Sequence, residues 1–84
     1  MTYEQVLAQP SAYVGKPVVW CLNTPPEGNS FVSSRQGWPV ALSGSREEYM
    51  TTNNGGSAGY CFDVLAVIAG FERGVIQLRP VEKI

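Results

Sequence analysis

Eighty-four residues bound the chain to one domain, and a chain of this length buries only about 60–65% of its unfolded surface, so its core is small. Hydrophobic residues make up 44% and charged residues 15%, a balance that suits a globular chain and excludes a disordered one. Six basic against seven acidic side chains leave a net charge of −1, without the basic excess that lets nucleic-acid binders displace counterions, and the lack of histidine removes the commonest general base and transition-metal ligand.

In chain order, Thr2-Tyr3-Glu4-Gln5 fits a capping box, in which Thr2 accepts from the backbone near Gln5 and Gln5 reaches back. Tyr3, Val6 and Leu7 fall at helical spacing, which predicts a short helix from residue 3 to about residue 9, stopped by Pro10. Residues 11–15 then form a connecting turn. Gly15-Lys16 resembles the end of a phosphate loop, but that loop needs GxxxxGK followed by Ser or Thr and a helix. Here Pro17 and the run Val18-Val19-Trp20-Cys21-Leu22 follow, so the pair opens a strand.

Five strands are predicted, near residues 17–23, 30–34, 38–43, 60–69 and 75–81. The first two are separated by the turn cluster Thr24-Pro25-Pro26-Glu27-Gly28-Asn29. Residues 43–59 contain no strand-like run: residues 47–50 suit a single helical turn, and Asn53-Asn54-Gly55-Gly56-Ser57-Ala58-Gly59 has the composition of a mobile loop. Tyr60 to Ala69 is apolar at nearly every position. Gly70-Phe71-Glu72-Arg73-Gly74 reads as a five-residue hairpin loop into the last strand. Five short strands and one N-terminal helix favour a small closed barrel, of the oligonucleotide/oligosaccharide-binding (OB) or the SH3-like kind, because closure removes exposed edges.

Two resemblances sharpen this. Tyr3-Glu4-Gln5-Val6, Pro10, Tyr13, Gly15-Lys16, Val18 and Trp20 resemble the start of small bacterial OB-fold proteins, the starvation-inducible outer-membrane lipoproteins and the tRNA-anti-like families. Asp63 to Gly70 with Val75-Ile76-Gln77-Leu78 is similar to their last hairpin, so the likeness spans roughly half the chain. It implies an OB-like barrel more than any ligand, and the lipobox cysteine of the lipoproteins is missing. Separately, Trp20 to Gly28 and Ile76 to Val81 are similar to stretches of the type II dihydrofolate reductases, which are tetramers of tiny SH3-like barrels. Their active-site strand carries Val-Gln-Ile-Tyr. Gln77 matches it identically, whereas Arg79 stands in place of the tyrosine and 47 residues separate the two stretches.

Several residues admit both a structural and a functional reading. Cys21 and Cys61 fall on strands that neighbour each other in an OB barrel, which allows either a disulfide or two buried thiols packing as small hydrophobes. With Tyr3-Glu4-Gln5 in place of the basic and apolar regions of a signal peptide, a cytoplasmic chain with free thiols is favoured, or a periplasmic one if a leader has been removed. No apolar run approaches the ~20 residues of a membrane helix. Trp38 at a strand entrance suits core packing better than stacking on a base or sugar, and Asp63 suits an exposed edge better than a catalytic role.

The expectation is thus a mainly β protein, a five-stranded OB-like barrel with a short N-terminal helix, and a non-catalytic binding module that associates with itself. No cofactor or metal is expected, and the partner is a small molecule or protein before a nucleic acid. OB barrels bind on the outward side of strands 2–3 and the adjoining loops, here residues 24–29 and 70–74. This makes Asn23, Arg35, Trp38, Phe71 and Arg73 the candidate ligand residues. Phe62, Val64, Ala66 and Ile68 take the core parity of the longest strand, which leaves Leu65 and Val67 outward as a candidate dimer contact. Single-stranded nucleic-acid binding and a small oligomeric reductase are the alternatives.

Overall fold

The capping box forms as its spacing dictates: the Gln5 amide donates to Thr2 Oγ1 (3.2 Å) and the Thr2 amide to Gln5 Oε1 (2.9 Å). The helix it starts, α1, spans Tyr3–Ala8. In the computed structural model, which describes residues 1–25, 29–32, 37–44, 46–50 and 61–84, a 3-10 turn over Pro10–Tyr13 occupies most of the expected irregular connection. The strands are β1 (Pro17–Asn23), β2 (Ser30–Val32), β3 (Pro39–Leu42), β4 (Phe62–Glu72) and β5 (Val75–Lys83). A second 3-10 turn lies at Arg46–Tyr49, over part of the segment that the sequence marks for a helical turn. The glycine-rich stretch 53–59 lies outside the described residues.

The strands close into a barrel in the order β1-β2-β3-β5-β4. Four pairings are antiparallel. The one that shuts the barrel is the parallel pairing of β3 with β5, Val40 opposite Ile76, Ala41 opposite Gln77 and Leu42 opposite Leu78. The architecture is therefore mainly β, a small closed OB-like barrel with one short N-terminal helix.

Alternation along the strands sets the core. Val18, Trp20 and Leu22 of β1, Val64, Ala66 and Ile68 of β4, and Ile76 and Leu78 of β5 all point inward and are buried. Val32 of β2, Val40 of β3, Tyr49 of the second 3-10 turn, and Tyr3 and Val6 of α1 join that cluster. The Tyr3 hydroxyl donates to the Pro39 carbonyl (2.9 Å), and its ring stacks on Trp38 at 5.1 Å. Trp20 Nε1 donates to the Met1 carbonyl (3.1 Å), so both aromatic polar tips are satisfied where they are buried.

The final hairpin differs from the expected five-residue loop. β4 runs on through Gly70, Phe71 and Glu72, and the turn is only Arg73-Gly74, both at positive φ (54° and 77°). That pair of left-handed residues is what a tight two-residue hairpin with the right-handed twist of its strands needs. The sequence signal misleads because Gly70 marks a bulge. Ile68 is opposite Leu78 but Gly70 is opposite Gln77, which leaves Ala69 as an extra residue.

Cys21 and Cys61 are bonded to each other, with Cα atoms 5.4 Å apart. The free-thiol expectation is thereby corrected. Pairing Cys21 with Asp63 across β1 and β4 brings Cys61, just before β4, within bonding reach of Cys21.

Candidate functional site

Outside the barrel, a groove on the face of β3 and β5 combines polar and apolar groups. The outward residues of β3 and β5 form its floor: Pro39 and Ala41 on one strand, Val75 and Gln77 on the other. They face out because Val40 and Ile76, which lie between them, face in. Glu72 at the end of β4, Arg73 in the β4–β5 turn and Asn29, just before β2, also line the groove. The groove is open to solvent and has a volume of about 410 Å³, at the lower part of the range for small-ligand sites. Gln77 Nε2 donates to the Val75 carbonyl (3.1 Å), which fixes the direction of its amide.

The groove thus presents a guanidinium, a carboxylate and two amides over an apolar floor. Among the described residues lining it there is no aromatic face on which a base could stack. No cluster of three or more potential metal ligands exists among the described residues.

Of the four candidate ligand residues that are described, only Arg73 lines this groove. Asn23 is buried at the end of β1, beside Thr24 and near Ser30, which are also buried. Trp38 is half-buried against the core with its ring on Tyr3. Phe71 lies in a separate cleft with Pro10, Ser11 and Val14, on the side of the first 3-10 turn. Arg35 lies outside the described residues. The loops 24–29 and 70–74 that sequence reasoning assigns to the ligand surface contain Asn29 and Glu72, although neither is singled out there, and Val75 lies outside that surface. The signal that points to Val75 is the alternation of β5, in which residues 75, 77 and 79 share the outward parity. That β3 lies beside them has no local signal.

Leu65 and Val67 face outward and are half-buried, as their parity implies. Their cross-strand neighbours are Val19 and Pro17 on β1, and Glu82 and Arg79 on β5. Asp63 is exposed. Comparison of the chain with protein-family models, with curated proteins and with solved structures gives no match, so the likeness to OB proteins goes no further here than the barrel itself.

Proposed function

We propose that this chain is a non-catalytic binding module of the OB type that holds its ligand along the outward face of β3 and β5, between the β1–β2 and β4–β5 connections. The observation that carries the reading is the groove itself, where Arg73, Glu72, Asn29 and Gln77 converge over Pro39, Ala41 and Val75. OB barrels use the loops between strands 1 and 2 and between strands 4 and 5 for binding, and one residue of each, Asn29 and Arg73, lines this groove. Charges of both signs beside amides suit a polar peptide segment of a protein partner, which offers backbone donors and acceptors together with charged side chains. A phosphate chain would meet the Glu72 carboxylate. The resemblance of residues 3–20 to small bacterial OB proteins supports the same reading. The Cys21–Cys61 bridge supports an oxidising compartment, where such bonds persist.

One observation favours a second reading: Gln77, the residue shared with the type II dihydrofolate reductases, lines the same groove. Titration with NADPH separates the two, because quenching of tryptophan fluorescence is expected of the reductase and not of the peptide-binding module. The test of the main reading is chemical-shift mapping with a panel of short charged peptides. Shifts at Asn29, Ala41 and Gln77 that Arg73→Glu abolishes are expected. Shifts confined to residues 43–59 would overturn it.

A further inference from the structure

The outer face of β1, β4 and β5 carries a different pattern from the groove. Pro17 and Val19 on β1 and Leu65 and Val67 on β4 form an apolar centre, with Val19 55% exposed. On β5, exposed Arg79 sits opposite Val67 and exposed Glu82 opposite Leu65. The positive charge therefore marks the Val67 end of the patch and the negative charge the Leu65 end, with Ala66 at the level midway between them.

We propose that this face binds a second copy of the chain, sheet against sheet, about a two-fold axis that crosses the strands at the level of Ala66. The charge order selects that axis. A two-fold lying across the strands reverses their direction while keeping β5 over β5, so Arg79 of each copy meets Glu82 of the other. The same operation sets the Val19 level over the Pro17 level and the Leu65 level over the Val67 level. An axis along the strands would instead bring the two Arg79 ends of the patches together.

A stable contact takes about 800 Å² from each partner, near one sixth of the 4944 Å² this chain exposes. Four small apolar side chains fall short of that, so the flanking charges belong to the contact and set its orientation. The proposal rests on residues other than those of the groove, and neither reading depends on the other.

Sedimentation of the intact, disulfide-bonded protein tests it. The unmodified chain is expected as a dimer at high micromolar concentration. Arg79→Glu alone and Glu82→Arg alone should each sediment as monomers, their dimer dissociation constants raised about tenfold or more by like charges facing each other twice. An equimolar mixture of these two variants should dimerise again. One variant then carries two acidic side chains at positions 79 and 82 and the other two basic ones, so both contacts of a mixed dimer join opposite charges. If a charge reversal prevents folding, Val19→Lys at its exposed position replaces it and should also give a monomer. An unmodified chain that stays monomeric overturns the proposal. So do single variants as dimeric as the parent, or a mixture that remains monomeric.

Discussion

Tyr3 shows how one side chain can join a helix to a barrel. Its ring lies against Trp38 and Trp20, and its hydroxyl reaches the start of β3. Burial raises its phenol above the ordinary value of 10.0. The folded chain then holds that proton more tightly than the unfolded chain does. The corresponding stability is complete below pH 10.0 and is lost as the pH climbs through the raised folded value. Urea midpoints should therefore fall on the alkaline side of that limit. Tyr3→Phe should remove part of the fall, while lowering stability near neutral pH by about 1 kcal/mol through loss of the hydrogen bond to Pro39. An unchanged alkaline profile in the variant would show that other groups govern it.

At the scale of elements, the β4–β5 hairpin is the place where local chemistry and function meet. Arg73 occupies a left-handed conformation (φ 54°) that costs a residue with a Cβ about 1–2 kcal/mol and that asparagine tolerates better. Arg73→Asn gives the turn the Asn-Gly pair that such hairpins prefer. It should raise stability by about 0.5–1 kcal/mol in thermal unfolding. The same change removes the guanidinium from the groove, so peptide binding should weaken while stability rises. A variant that loses both would mean that Arg73 holds the turn through its side chain. The glycine at position 70 explains why the sequence suggests a longer loop: a bulge glycine and a turn glycine look alike there, and only the strand register separates them.

For the whole molecule, the Cys21–Cys61 bridge matters more than any single contact. It closes a span of 40 residues that includes the glycine-rich stretch and ties β1 to the approach to β4. Constraint of the unfolded chain over such a loop is worth about 2–4 kcal/mol. A small domain has a total stability of only about 5–15 kcal/mol, so the loss would be felt throughout. The double variant Cys21→Ala, Cys61→Ala should unfold at lower denaturant by that amount, as should the reduced protein. Equal midpoints with and without reductant would show that the bridge is not a stabilising element. If the proposed dimer forms, the midpoint should also rise with protein concentration, because association favours the folded state by mass action.

Much of the architecture was legible in the sequence because its causes are local. The Thr2 and Gln5 side chains and Pro10 delimit α1, and the run after Pro17 forms β1 with the expected bounds. The period-two alternation of Val64, Ala66 and Ile68 against Leu65 and Val67 assigned inside and outside correctly, since a strand has no other way to place successive side chains. The parallel pairing of β3 with β5 was decided only in the tertiary structure, and with it the groove beside Arg73. That pairing joins residues far apart in the chain, and no turn or spacing within either strand encodes which neighbour it takes. The disulfide has the same origin. Two cysteines in the sequence permit a bond or two thiols, and the register of β1 against β4 brings Cys21 and Cys61 to bonding distance.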